Sequence, residues 1–223
     1  MEQRKILVLF YSFTGGTAQL AREVAAGARS VPQSLVEVKH VHELIPDQVF
    51  EKNTKLKKIK DNLETEFPIA TLDDMINAHA IAFGTPVHFG SFASQIKQFI
   101  DQLSPVWLEG KLVNKPAAVF CSSGSLHGGE EIALTSLMMP LLSLGMIPVG
   151  IPYPIQGEGP DFDAGSPYGA IFVSGHKGEN KLSEGDKKVA QILGRRLAIM
   201  AHVLNCGCSD CSMLTKELTT KHA

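Results

Sequence analysis

The run Lys5 to Tyr11 is apolar at almost every position and breaks directly into Ser12, Phe13, Thr14, Gly15, Gly16 and Thr17. A helical pattern follows at once, with Leu20, Ala21, Val24, Ala25 and Ala28 on one face. A strand without polar alternation is buried on both faces, so helices have to cover both sides of its sheet. The turn between strand and helix suits an anion, because its backbone N–H groups and the positive end of the helix dipole favour negative charge together. It has no Gly-Lys-Ser/Thr ending and no G-x-G-x-x-G, which excludes a nucleoside-triphosphate loop and a dinucleotide fingerprint. Hydroxyls and amides without a lysine suit a phosphate monoester carried by a larger cofactor.

The same strand–turn–helix unit recurs along the chain. Ser34 to Val41 alternates as a second strand, and residues 42–70 read as a charged surface excursion with one short helix. Ala80 to Thr85 is a third strand, running into Pro86–Gly90 and then a helix with Phe92, Ile96, Phe99, Ile100 and Leu103 apolar. Pro116 to Ser122 is a fourth, ending in Ser123–Gly129 before a long helix that starts with Glu130 and Glu131. Ile147 to Ile151 is a fifth; a Gly/Pro-rich loop over 152–169 follows, and Ala170 to Val173 resumes the strand pattern. Thr71 with Asp74, and Ser183 with Asp186, have the spacing of an N-cap with an acidic third residue. The second pair opens a final helix with Val189, Ile192, Leu193, Leu197, Met200 and Leu204 inward. This alternation predicts one α/β domain over 1–205, a doubly wound five-stranded parallel sheet of order 2-1-3-4-5 with helices on both faces.

Composition removes several classes of function. Lys and Arg total 21 against 23 Asp and Glu, so no basic excess invites nucleic acid. No apolar run approaches the roughly 20 residues of a membrane-spanning helix, and the short apolar start lacks a leader's cleavage site, so the cytoplasm is the expected compartment. A phosphoacceptor receiver domain needs carboxylates where this chain has Tyr11 and Ser12, and no G-x-S-x-G frames a hydrolase nucleophile. Of the four cysteines, Cys121 reads as a small core residue. The other three form C-x-C-x-x-C in the tail 206–223: Cys206, Cys208 and Cys211, with His202 one helical turn upstream. Three thiols and an imidazole are a candidate tetrahedral zinc set.

In the order 2-1-3-4-5, strands 1, 3 and 4 are neighbours, so three loops converge beyond their carboxyl ends. They are Ser12 to Thr17; then Thr85, Pro86, Val87, His88, Phe89 and Gly90; then Ser122, Ser123, Gly124, Ser125, Leu126, His127, Gly128 and Gly129. The first cradles phosphate. The other two offer small residues and backbone N–H groups to a flat heterocycle, with Phe89 and Trp107 available to stack. His88 is the candidate catalytic residue, a donor to an oxygen on which charge develops.

Motifs spread through the chain in one order carry a resemblance. They are Lys5–Ser12, Phe83-Gly-Thr-Pro-x-x-Phe-Gly90, Gln95-x-x-x-Phe-Ile-Asp-Gln102, Trp107 before Gly110-Lys-Leu, Val119-Phe with the Ser- and Gly-rich turn through Glu130, Leu144-Gly-Met146 and Ser166-Pro-Tyr-Gly-Ala170. Over roughly residues 4–205 the chain resembles the flavodoxin-like NAD(P)H:quinone oxidoreductases of the WrbA family. The resemblance implies bound flavin mononucleotide (FMN), reduction by NAD(P)H, ping-pong two-electron reduction of a quinone, and a homotetramer. It puts the cofactor on all three loops, and the substrate against Phe89 and Trp107. The chain departs from the family at Thr14-Gly15-Gly16, where Tyr-Gly-His is common, at His88 in place of an arginine, and at Leu144 in place of a flavin-contacting histidine. A flavin-dependent electron carrier, or a reductase of a nitro or azo compound, iron or oxygen, would use the same three loops.

Overall fold

The computed structural model describes residues 2–153 and 165–206. Strand β1 (Arg4–Phe10) leads into helix α1 (Gly16–Arg29), strand β2 (Ser34–His40) and three helices, α2 (Asp47–Glu51), α3 (Thr54–Glu66) and α4 (Leu72–Asn77). Strand β3 (Ala80–His88) and the short β4 (Ser91–Phe92) are followed by α5 (Ser94–Asp101) and α6 (Ser104–Leu108). Then come β5 (Pro116–Ser123), α7 (Glu130–Ser143), β6 (Ile147–Pro148), β7 (Gly169–Val173) and the last described helix, α8 (Glu184–Leu204).

The sheet runs β2-β1-β3-β5-β6, with β7 also parallel to β5. β6 pairs with Pro116 and Ala117 at the start of β5, and β7 with Val119 to Ser123 further along it. The predicted fifth strand is therefore one position in the sheet filled by two pieces, and the order 2-1-3-4-5 holds. The break falls where Gly150 packs against Pro167: a Cβ on Gly150 would lie 2.3 Å from the Pro167 carbonyl oxygen.

Burial on both faces is visible in β1 residue by residue. Ile6, Val8 and Phe10 belong to the core under α1 and α8, while Leu7, Leu9 and Tyr11 belong to the core under α5 and α7. Alternate side chains along a strand face opposite ways, so one apolar run feeds two cores. Complete burial of such a side chain contributes about 1.5–3 kcal/mol. Both predicted capping boxes are present, at Thr71 with Asp74 and at Ser183 with Asp186.

Two local readings are corrected. The segment 42–70 holds two helices rather than one; α3 is capped by the Asn53 side chain, and among its residues only Leu63 is buried. So thin an apolar stripe is masked by the lysines and acids around it. Phe92 lies on β4 and not on a helix: β4 pairs antiparallel with β3, Val87 opposite Phe92 and His88 opposite Ser91. The two residues between, Phe89 (φ 52°) and Gly90 (φ 74°), both have positive φ, as a type I′ hairpin turn requires.

Helices α1 and α8 cross at backbone contact. A Cβ on Gly27 would lie 1.9 Å from the Gln191 carbonyl oxygen, and one on Gly194 would lie 1.8 Å from that of Val24. Neither carbonyl can move without breaking its own helix, so the two glycines set the spacing of this layer. Gly194→Ala is expected to destabilise the protein by about 1–3 kcal/mol or more, despite alanine's better helix propensity. Urea denaturation checks this; an unchanged midpoint contradicts the close crossing.

Candidate functional site

The three strand-end loops meet through their smallest residues. A Cβ on Gly16 would fall 2.6 Å from Ser174 Cβ and 3.1 Å from Ser122 Oγ, and one on Gly129 would fall 2.9 Å from Gly90 Cα. The first loop thus touches the third at Ser122, and the third touches the β3–β4 hairpin at Gly90. A fourth segment, 174–180, closes over them. Ser174 Oγ donates to the Ser123 carbonyl at 3.0 Å, and a Cβ on Gly178 would lie 2.5 Å from the Thr14 carbonyl oxygen.

Hydroxyl partners divide the first loop's work. Thr17 is wholly buried and its Oγ1 pairs with Ser122 Oγ at 2.8 Å, while Ser12 Oγ accepts from the Ala18 N–H at 3.3 Å. Those two hydroxyls hold the loop's shape. Thr14 Oγ1 makes no hydrogen bond among the described residues and is only partly buried. Helix α1 starts from Gly15 in the left-handed conformation (φ 91°), with no side-chain cap and no acidic residue in its first turn. Its N-terminal N–H groups are therefore not answered by the chain's own anions. Helix α7 also starts from a left-handed glycine, Gly129, but carries Glu130 and Glu131 in its first turn. Glu130 is buried and accepts a 2.6 Å hydrogen bond from Ser123 Oγ. Of the two helix starts, α1 is the one open to an external anion.

In the second loop, Thr85 is fully buried; its Oγ1 accepts from the Ala93 N–H and donates to the Pro86 carbonyl, both at 2.9 Å. It locks the start of α5 under the hairpin. Pro86, Val87 and His88 are half-buried, and Phe89 stands fully exposed at the tip in a left-handed conformation that large side chains seldom adopt. In the third loop Ser122 and Ser123 are buried, and Gly124, Ser125, Leu126, His127 and Gly128 are exposed. Among the described residues, a separate cavity of about 890 Å³ opens between this loop, β7 and residues 180–186, and the first loop does not line it.

A carboxylate that sequence reasoning missed borders the site. Glu43 accepts from Tyr11 Oη at 2.9 Å, Gln95 Nε2 at 2.9 Å, and the N–H groups of Leu44 and Ile45 at 2.8 and 2.9 Å. It ties the loop after β2 to the end of β1 and the first turn of α5. Burial, then the Glu43 charge, push the Tyr11 phenol far above its ordinary range. Burial lowers the His88 pKa, and Glu43 opposes that shift. His88 is thus uncharged at neutral pH, with a ring N–H to donate. The side-chain partners of Glu43 lie 32 and 52 residues away, and only the N–H groups of Leu44 and Ile45 are local.

Trp107 is not brought to these loops within one chain. It sits half-exposed on α6, past the end of α5 that lies away from them. Eight residues later Lys115 bonds the carbonyls of Met75 and Ile76, at the opposite, amino-terminal edge of the sheet. Of the candidate zinc set, His202 Nε2 is hydrogen-bonded to Ser34 Oγ at 3.2 Å and Cys206 is exposed. Cys208 and Cys211 lie outside the described residues, and no cluster of three metal-ligating side chains occurs among those described. Cys121 is buried, and burial raises its thiol pKa. No described helix is long and apolar enough to cross a membrane.

Replacing the Glu43 carboxylate by an amide removes the negative charge that favours a protonated His88. In Glu43→Gln the His88 pKa is expected to fall further below the ordinary histidine value, as followed by NMR titration of the ring protons. An unchanged or higher value would show that the two groups are not coupled.

The NADPH-dependent FMN reductase family model matches residues 4–160. A curated relative, an NAD(P)H dehydrogenase (quinone) of Geotalea uraniireducens (strain Rf4), is 38% identical over 199 residues, which cover 88% of this chain and 97% of that protein. Another of the same name, from Solidesulfovibrio magneticus, is 37% identical over 197 residues, 86% of this chain and 95% of that one. Among solved structures, a flavodoxin, WrbA-like protein from Agrobacterium tumefaciens gives a TM-score of 0.61 at 22% identity, over 90% of this chain and 99% of that one. A flavodoxin from the domain Archaea gives 0.57 at 18% identity, over 88% and 98%. The structural likenesses establish the flavodoxin-like fold. The family match, with relatives aligned over nearly their whole length, carries the further conclusion that this chain belongs to the NADPH-dependent FMN reductase family.

Proposed function

We propose that this protein is an FMN-dependent NAD(P)H:quinone oxidoreductase, reducing quinones to hydroquinones by two electrons, with nicotinamide and quinone taking turns at one site. The observation that carries the assignment of cofactor position is the start of α1, uncapped and free of acids beside two converging strand-end loops. A phosphate monoester meets there the helix dipole, together with the N–H groups of Gly16 and Thr17 and the Thr14 hydroxyl, none of which has a hydrogen-bond partner among the described residues. When bound, FMN supplies the hydride chemistry.

The chain's own residues bind and orient. The start of α1 and Thr14 hold the phosphate, with Ser12 and Thr17 keeping the loop in shape. Pro86 to Gly90 and Ser122 to Gly129 flank the ring system, and Phe89 offers its exposed face to a planar substrate. His88, uncharged at neutral pH, donates its ring N–H to a quinone oxygen as negative charge grows there. Its charged form would be a stronger donor but is disfavoured by burial. The names of the curated relatives support the quinone and the nicotinamide nucleotide as substrates.

We place the enzyme in the cytoplasm and as a homotetramer. Supporting the assembly, Ile132, Met139 and Leu142 stand exposed on α7, as do Trp107 and Leu108 on α6. Large apolar side chains left exposed together are what a subunit interface would cover. Ile132→Lys with Met139→Lys is expected to reduce the assembly size in light scattering; a wild-type monomer would overturn the tetramer.

The assignment predicts NADH- or NADPH-dependent reduction of benzoquinone by the FMN-loaded protein. Flavin reduction by a nicotinamide without turnover of any quinone would make it a carrier or a reductase of another acceptor. Thr14→Val is expected to weaken FMN retention several-fold and leave riboflavin, which lacks the phosphate, unaffected. Thr17→Val orphans the buried Ser122 hydroxyl and is expected to cost about 1–3 kcal/mol of stability. Equal losses of FMN and riboflavin in Thr14→Val would remove the phosphate from this loop.

A further inference from the structure

The first loop offers hydroxyls and N–H groups to a phosphate but no cation: Ser12 to Thr17 contains no lysine, arginine or histidine. A phosphate monoester is close to a dianion at neutral pH, and the partial charge of a helix start leaves most of that unbalanced. Two elements packed against the loop decide where a balancing charge can come from.

Helix α3 is one of them. A Cβ on Gly15 would lie 3.9 Å from Ile59 Cγ2, so α3 turns its Ile59 face to the loop. Lys55 stands four residues before Ile59 on the same helix, a spacing that shares a face. The segment 174–180 is the other, and it runs over both the third loop and the first. A Cβ on Gly124 would lie 3.4 Å from His176 Nδ1, and one on Gly178 would lie 2.5 Å from the Thr14 carbonyl oxygen and 3.1 Å from Thr14 Oγ1.

Lys55 joins these two elements. Its Nζ donates to the Lys177 carbonyl at 2.8 Å, and Lys177 directly precedes Gly178. The intervening bonds put the ammonium at most about 10 Å from the Thr14 carbonyl, about one Debye length at 0.1 M salt. That contact uses one of its three N–H bonds, and no carboxylate lies within ion-pair distance of Lys55 among the described residues. Lys60, on the same helix, is by contrast taken up by Asp47 and Glu64. The acid of the segment, Glu179, accepts from the Lys177 N–H at 2.7 Å. Its own N–H and that of Lys177, and then the charges of Lys55 and His176, hold the Glu179 carboxyl below its ordinary range, so the Lys55 field reaches this segment.

We infer that Lys55 is the cation of the cofactor phosphate: held over the first loop by the Lys177 carbonyl, it supplies the positive charge that the loop itself lacks. This rests on the reading of the first loop as the FMN phosphate site, and it adds to that site a residue from outside the three strand-end loops.

Titration of FMN and of riboflavin into the flavin-free full-length protein, at low salt and at about 0.5 M salt, tests this. Lys55→Met keeps the aliphatic stem and removes the charge. It is expected to weaken FMN binding about fivefold at low salt and less at high salt, and to leave riboflavin unchanged. Lys55→Arg is expected to keep the wild-type affinity for FMN. Lys57→Met, on the opposite side of α3, is the control for overall charge and is expected to change neither flavin. If Lys55 only braced the segment 174–180, FMN and riboflavin would be weakened alike and salt would not matter. That result, FMN affinity indifferent to Lys55→Met, or an equal loss in Lys57→Met would each overturn the inference and leave the flavin assignment standing. A wild type that binds neither flavin would overturn both.

Discussion

The parallel pairing of β1 with β3 and of β3 with β5 is the constraint from which the rest follows. Its register sets Phe10 opposite Gly84 and Gly84 opposite Phe120. A Cβ on Gly84 would come within 2.3 Å of the Phe120 ring and 2.9 Å of Phe10 Cβ. The middle strand is thus clasped between two large side chains where it has none of its own. With that register held, three strands end side by side, and their turns have no choice but to meet.

Where those turns meet, electrostatics separates two similar helix starts. Both α1 and α7 begin at a left-handed glycine without a side-chain cap. Helix α7 brings its own acids, and Ser123 holds one of them in place. Helix α1 brings none. The two helix starts thus differ in whether the chain's own acids answer the dipole, and the hydroxyls of Ser12 and Thr17 serve the loop's shape. Glu43 does comparable work on the far side, joining three separate segments through one carboxylate.

The two edges of the sheet divide naturally. Carboxyl ends of strands carry glycine- and serine-rich turns that leave room for a flat cofactor. At the amino ends, His79, Asn114 and Lys115 lie around a smaller cavity together with Ile76, Val113, Ile147 and Leu204. Each edge thus has its own chemistry, and the core between them keeps the two apart.

Much of this was legible in the chain. Apolar runs such as Ile6–Phe10 and Ala80–Phe83 must be buried on both faces, which dictates a helix-covered parallel sheet, and the Thr71–Asp74 and Ser183–Asp186 spacings locate two helix starts. Those signals are local: they depend on period, propensity and capping within a few residues. The hairpin at Phe89 and Gly90, the thinly apolar α3 and the splitting of the fifth strand are local too, but their signals are weak and surrounding charges or prolines obscure them. What only the tertiary structure decided is which partners meet across long separations. Thr17 finds Ser122, Tyr11 finds Glu43, and Gly129 abuts Gly90. The reason is physical: a side chain's period reports the face it occupies, whereas its hydrogen-bond partner depends on the register of strands that the chain brings together only when it folds.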